Sequence, residues 1–490
     1  MLMSPAACSS LQAFFLRSIA TPTRGMPFGR RGGVAMGLGW ALGACFLVLG
    51  WVMALGGVAV AEESVATGGW MSFQNGGRQV SPGKLPTSWS PEEGVAWEAE
   101  VAGYGQSTPV LHDGRLFVTS TSGANKETYQ LTAIDLVTGE KRWQLDLRNP
   151  SPEPNNAYVS RAAPSPVADG DGVIALFEGG ICVAVDGEGT VRWQRDLVEA
   201  YGPIEARHGL AASLEQDATR VFVWIERSGD PYVLALDKTT GETVWKAPGL
   251  GASGWASPRL IPTEWGDQLV CSGSGKLVGF DPQAGERLWE FTEISNNTTC
   301  TPMPVSPGRF LIGASDGRGE VGGGNAAASN GVIEIVRDDQ GKFAPRFLWR
   351  AERAVSSFAS PVAAAGKAWI VNRAGVLYRL DLETGEEISA KRTDAGGVWA
   401  TPLITDEHLY LAGTQGETSV FSLQDGSLVA HNRLWESDAA AGAAGGREGG
   451  GGGFGQGPPL AGRAATLYSV SAAPPYLIFR RGDRLIAVKE

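Results

Sequence analysis

Apolar and polar positions along this chain follow one pattern that recurs. The stretch Thr132-Ala133-Ile134-Asp135-Leu136-Val137-Thr138-Gly139-Glu140-Lys141-Arg142-Trp143 alternates, breaks at a D-x-x-x-G turn, and alternates again up to a tryptophan. It returns as LALDKTTGETVW ending at Trp245, LVGFDPQAGERLW ending at Trp289 and, without the tryptophan, LYRLDLETGEEIS ending at Ser389. A worn copy, CVAVDGEGTVRW, ends at Trp193. Period-2 alternation on both sides of such a turn predicts a β-hairpin, in which Asp accepts backbone hydrogen bonds and Gly takes the positive φ.

A second strand pair precedes each hairpin and opens on Ser/Thr-Pro, first within Ser107-Thr108-Pro109 and then at Ser165-Pro166, Ser257-Pro258, Thr301-Pro302, Ser360-Pro361 and Thr401-Pro402. Ser213-Leu214 is the full unit without proline. Proline cannot donate to a ladder, so this opening strand is an edge strand and, in a radial array, the innermost one. Seven complete units run from Ser107 to Leu434, about 47 residues each, the length of a propeller blade. Tyr476–Phe479 and Arg484–Val488 supply an eighth unit that stops before its last strand, and Gly94–Val101 is an orphan strand of that kind. Pairing the two closes the ring and removes exposed edges. The expectation is an all-β, eight-bladed β-propeller of four-stranded antiparallel blades, with the last blade closed by the N-terminal strand. The tryptophans at 97, 143, 193, 245, 289 and 349 recur once per blade and read as packing between blades.

Composition agrees with this architecture. With 68 Gly, 28 Pro and 19% charged residues, the chain has the makings of many turns rather than of helix bundles, and 43% hydrophobic residues suffice for a core. Two glycine-rich stretches, Gly313–Gly331 in the fifth blade and residues 437–462 after the seventh, depart from the period and read as surface insertions. The first 61 residues hold four Arg and no acid; an uncharged run from Gly32 follows Arg30-Arg31 and ends Ala59-Val60-Ala61. Basic flank, apolar run and A-x-A site make residues 1–61 an export signal or, uncleaved, a membrane tether through 32–61. Residues 62–93 are then a lead-in and 94–490 the propeller. Leu42-Gly43-Ala44-Cys45 is similar to a lipobox, but the apolar run continues well past the cysteine. Net charge is -11 for the whole chain and -15 without the first 61 residues, which excludes nucleic acid as a natural partner.

The hairpin A-x-D-x-x-T-G-E-x-x-W with its upstream Ser/Thr-Pro strand resembles the PQQ-type propeller repeat, shared by quinoprotein alcohol dehydrogenases and by outer-membrane assembly lipoproteins of the BamB type. The resemblance covers about Trp89 to Glu490. The run from Trp70 to Gly77 is similar to the W-x-x-F-R-G opening of exported propellers of planctomycete type, with Gln74-Asn75 where that pattern has Arg-Gly. For quinoproteins the resemblance implies adjacent cysteines, an Asp base and calcium ligands. Past residue 61 the chain has Cys182, Cys271 and Cys300, none adjacent, and its histidines 112, 208, 408 and 431 show no metal-ligand spacing. No catalytic, cofactor-binding or metal-ligating residue is assigned, and the hairpin aspartates read as turn chemistry.

The reading is therefore an exported, monomeric, non-catalytic module of the periplasm or cell envelope that binds a protein or peptide. No cofactor is expected; a PQQ-dependent oxidoreductase with calcium and a divergent site is the alternative. In a propeller, the links from outer strand to next inner strand converge at the channel mouth. Residues just before each inner strand form the candidate site: Tyr104, Tyr158, Arg161, Arg207, His208, Trp255, Asn296, Asn297, Phe358 and Trp399.

Overall fold

A computed structural model describes residues 69–78, 83–153, 161–206, 209–226, 229–252, 254–315, 326–435 and 467–490. The export segment, the insertion at 437–462, and Tyr158, Arg207 and His208 lie outside the described residues.

The strands form eight four-stranded antiparallel sheets, the blades of an eight-bladed propeller. Blade 1 runs Val110–His112, Arg115–Ser122, Thr128–Asp135 and Lys141–Arg148, in that spatial order. Blades 2 to 7 repeat it, with inner strands Val167–Asp169, Glu215–Gln216, Arg259–Ile261, Met303–Ser306, Val362–Ala364 and Leu403–Ile404. The opening strands touch one another from blade to blade, which makes them the innermost, as their prolines require. Blade 8 takes Ser469–Ala473, Tyr476–Arg481 and Arg484–Val488 from the C-terminal end and Val95–Glu100 from the other end of the ring. Val95 pairs with Val488 and Glu100 with Arg484, while the Arg484 guanidinium bridges Glu98 at 2.7 Å and Glu100 at 2.8 Å.

The hairpin turns behave as their sequence demands. Asp135 Oδ1 accepts from the backbone N–H of Val137 (2.9 Å) and Thr138 (2.8 Å), and Gly139 closes the turn at φ 72°. A second reason for that glycine comes from the neighbouring blade. The Trp97 ring lies where a Cβ on Gly139 would come within 2.7 Å, and its indole N–H donates to Leu136 O at 2.8 Å. The same tryptophan-on-turn contact joins Trp143 to Gly187 O and Gly189, Trp193 to Lys238 O and Gly241, Trp245 to Pro282 O and Gly285, and Trp349 to Leu382 O and Gly385. Trp97 belongs to the closing strand, so this contact carries the closure onto blade 1.

At the axis the blades are joined differently. The Oγ of Ser165 accepts from the backbone N–H of Thr108, Ser213 from Ser165, Ser257 from Ser213, Thr301 from Ser257, Ser360 from Thr301 and Thr401 from Ser360, all at 2.9–3.1 Å. Six hydroxyls, five in Ser/Thr-Pro pairs and the sixth at Ser213, thus each satisfy a buried N–H of the blade before, linking seven blades into a belt. Blade 8 joins through Arg480, which donates to Ser107 O and Oγ and to Thr119 O.

Candidate functional site

The lead-in is part of the propeller axis rather than a tail outside it. Trp70 O accepts from Leu111 N–H at 2.7 Å and Met71 O from Ala168 N–H at 2.9 Å, at the far ends of the first two inner strands. Gln74 to Gly77 then turn with four consecutive positive φ values, between 48° and 74°. Such a run is costly for Gln74 and Asn75 and persists because the surroundings hold it. Arg259 Nη2 donates to Gln74 Oε1 (2.9 Å) and to Phe73 O (3.2 Å), while Gln74 Nε2 donates to Ser360 Oγ (3.1 Å) and Thr401 Oγ1 (2.7 Å). One side chain spans the channel from blade 4 to blades 6 and 7, which gives Gln74 a role that an arginine at this place would not reproduce. Arg259 itself pairs with Glu215 at 3.0 Å, both buried. Burial pushes the Glu215 carboxyl above its usual range, opposed by the Arg259 charge.

On the opposite face, where outer strands cross to inner strands, aromatic rings line the mouth. Phe358 and Trp399 stand 5.2 Å apart between centroids, Trp399 and Tyr468 6.4 Å, and Tyr468 and Tyr104 6.2 Å, with a 3.0 Å hydrogen bond from Tyr104 Oη to Tyr468 Oη. The Arg161 guanidinium lies 3.5 Å over the Tyr104 ring. Phe358 and Trp399 are each 45% exposed, unusual for large apolar groups. Tyr104 rests against Gly482, where a Cβ would come within 2.3 Å of the ring, and burial followed by the Tyr468 interaction pushes its phenol well above the usual range. Arg480 is fully buried nearby; burial lowers its guanidinium to about 9, so it stays charged at neutral pH.

Four of the sequence-derived candidates, Tyr104, Arg161, Phe358 and Trp399, therefore meet in one arc. Others serve the links. Asn297 is fully buried, its amide donating to Ser272 Oγ and Lys276 O and accepting from Gly275 N–H. Asn296 holds a positive φ of 54° and its carbonyl accepts from Ser315 N–H, while the Trp255 N–H donates to Thr298 O. Tyr468 was absent from the sequence-derived set because Ser469-Val470 lacks the proline that marks the other inner strands. Its place directly before the eighth serine was the available signal.

Between arc and lead-in lies a cavity of about 110 Å³ against the inner strands of blades 5 to 8. Its residues do not suit PQQ with calcium. The lead-in occupies part of the axis, and the lining holds one cation, Arg78, against a tricarboxylate, with no carboxylate to ligate calcium. Among the described residues no group of three His, Cys, Asp or Glu is placed to hold a metal, and the three cysteines are buried and separate.

Comparison with known proteins adds a family to this geometry. The family described as outer membrane protein assembly factor BamB matches residues 51–208 and 203–391. The chain is 23% identical over 294 residues to the BamB of Yersinia pestis, covering 58% of this chain and 63% of that one. It is 19% identical over 332 residues to the BamB of Shewanella oneidensis, covering 67% and 64%. The chain thus spans less than two thirds of the length of these curated relatives. Among solved structures, BamB from Moraxella catarrhalis superposes with a TM-score of 0.52 at 14% identity, over 81% of this chain and 99% of that one. The computationally designed Ika8 protein superposes with a TM-score of 0.50 at 12% identity, over 80% and 99%. At such identities these superpositions speak for the fold alone.

Proposed function

Because the chain belongs to the family described as outer membrane protein assembly factor BamB, we propose that it is a non-catalytic binding scaffold of the cell envelope, with the aromatic channel mouth as its contact face. The arc of Phe358, Trp399, Tyr468 and Tyr104 carries this reading, since two half-exposed aromatic rings beside a stacked arginine are the residue types on which protein contacts concentrate. The mouth offers aromatic rings, two of them half-exposed, with the Arg161 guanidinium stacked on a third. In this reading residues 1–61 direct export and the propeller acts as a monomer that presents one face to a protein partner.

Photo-crosslinking tests it. A photoreactive phenylalanine analogue at 358 or 399, in cells expressing the full chain, should give an adduct with one and the same envelope protein, while the analogue at rim position 191 should not. Purified partner should then bind the wild-type chain and lose about tenfold or more in affinity to Trp399→Ala, the size expected of a central aromatic anchor. Equal crosslinking from 191, or none from the mouth, would overturn the reading.

A further inference from the structure

The cavity behind the arc has a one-sided chemistry. Its floor is the lead-in, and its walls include Met303, Val362, Leu403 and Val470, so it is apolar over much of its surface. Ser360, Thr401 and Trp70 among its lining residues have protons to offer. A hydroxyl has two acceptor sites and one proton. Ser360 Oγ already accepts from Gln74 Nε2 and from Thr301 N–H, and Thr401 Oγ1 from Gln74 Nε2 and from Ser360 N–H, which leaves both protons to give. The Trp70 indole N–H is buried without a hydrogen-bond partner, and Trp70 lines the same cavity. Arg78 is the one charged lining residue and its guanidinium makes no hydrogen bond or ion pair among the described residues. Arg78 acts electrostatically on both members of the buried Arg259–Glu215 pair, and the two cations and one carboxylate together leave this end of the channel with one net positive charge.

Hydroxyl and indole protons left to give, a net positive charge and apolar walls suit a carboxylate attached to an apolar body. We infer that this cavity is a binding pocket for a peptide segment carrying a bulky apolar side chain next to a carboxylate. The apolar side chain packs against Trp399 and the inner strands of blades 6 to 8, and the carboxylate meets Arg78, Trp70, Ser360 and Thr401. This assignment rests on the protein-binding reading above and names the feature of the partner that the mouth would select. The carboxylate comes from an aspartate or glutamate side chain or from a chain terminus, which share this chemistry. The acidity of the whole chain does not oppose it, because charges more than about 10 Å away through solvent are screened at moderate salt while a carboxylate in contact with Arg78 is not.

Fluorescence-polarisation titration of the full propeller with dye-labelled peptides tests the pocket. Four probes suffice: an acetylated, amidated Gly-Phe-Asp-Gly, its Gly-Phe-Asn-Gly counterpart, and Gly-Gly-Phe with a free or an amidated C-terminus. At least one carboxylate peptide should bind about tenfold or more tightly than its neutral counterpart, the scale of a charged hydrogen-bonded contact. Which pair discriminates identifies the source of the carboxylate. Arg78→Gln should reduce that preference to about twofold or less with an unchanged melting temperature, since the side chain is exposed. Trp70→Phe, which keeps the ring and removes the N–H, should reduce it less, and Trp399→Ala should weaken all probes alike while keeping the preference. Absence of a carboxylate preference in the wild-type chain, or its survival in Arg78→Gln, overturns the inference. If the mouth captures its partner while no peptide discriminates, the pocket fails and the scaffold reading stands. If a peptide discriminates while the mouth captures no partner, the pocket stands and the scaffold reading fails.

Discussion

The rim and the axis of this propeller solve the same problem, joining one blade to the next, with different chemistry. At the rim the joint is large and apolar, a tryptophan ring on the turn glycine of the following blade, with one indole hydrogen bond to a turn carbonyl. At the axis it is small and polar, a serine or threonine hydroxyl taking the neighbouring backbone N–H. The rim is spacious, so a ring fits in every blade that has a D-x-x-x-G turn to receive it. At blade 5 the joint is different: the Trp289 N–H bonds to Gln268 of its own blade at 2.6 Å. Near the axis the inner strands crowd together, and in seven of the blades a small hydroxyl side chain is enough to bridge them. Residues that escape these two repeated devices, Gln74, Arg78 and the aromatic arc, are those with something other than blade packing to do.

The rim device is tested hardest where it closes the ring. Trp97→Ala removes a buried ring and its hydrogen bond to Leu136 and loosens the strand that completes blade 8. The expected loss is about 3–5 kcal/mol, measured as a shift of the urea midpoint at constant slope. Trp97→Arg should cost at least as much. Leu428→Ala, at a side chain 51% exposed, should stay within about 0.5 kcal/mol and serves as the control. A mild Trp97→Ala would mean that closure is borne by backbone pairing alone.

The same contrast governs what the sequence could disclose. Blade number, strand order and split closure were legible because D-x-x-x-G-x-x-x-W and Ser/Thr-Pro are short-range signals repeated at a fixed period. In the Ser/Thr-Pro pair the proline was readable as an edge-strand mark, but the role of the hydroxyl was not, since its partner lies a whole blade away. The arc was half legible: topology brings Tyr104, Arg161, Phe358 and Trp399 to the mouth, and the missing proline hid Tyr468. The lead-in was not legible as the channel floor, because a single nonrepeated segment held by Leu111, Ala168, Arg259, Ser360 and Thr401 leaves no periodic trace. Its odd Gln74-Asn75 was visible as a departure, and at Gln74 the structure supplies the reason.

The axial belt should break more gently. Ser213→Ala strands the buried Ser165 N–H without its acceptor, and the alanine has no other group to offer. Leaving a buried donor unpaired costs about 1–3 kcal/mol. Ser213→Thr, the residue that blades 5 and 7 use at this place, should recover most of it. Amide exchange at Ser165 supplies a local readout, expected to quicken in Ser213→Ala more than at the rim. If denaturation shows a loss below about 0.5 kcal/mol, with slow exchange retained at Ser165, the hydroxyl belt is incidental to how the blades hold together.

The smallest effect is expected at the turns that receive the rim tryptophans, and it should appear with pH. Hydrogen bonds from the backbone N–H groups of Thr240 and Thr239 hold the Asp237 carboxyl below the usual carboxylate range, and those from Thr384, with Lys367 and Glu383 N–H, do the same at Asp381. A carboxyl whose folded pKa is depressed adds stability that is fully present above its unfolded value, near 4, and is lost as pH falls through the folded value. Stability should therefore decline below about pH 4 and continue to fall through the depressed folded values. Asp237→Ala should lower stability at pH 7 by less than either change above, because the turn keeps Gly241 and the Trp193 ring over it. In that variant the acid decline should also be shallower, since one proton-linked group has been removed. An acid decline as steep as in the wild-type chain would mean that the turn carboxylates are too exposed to couple to folding, and that the glycine and the tryptophan alone make the rim joint.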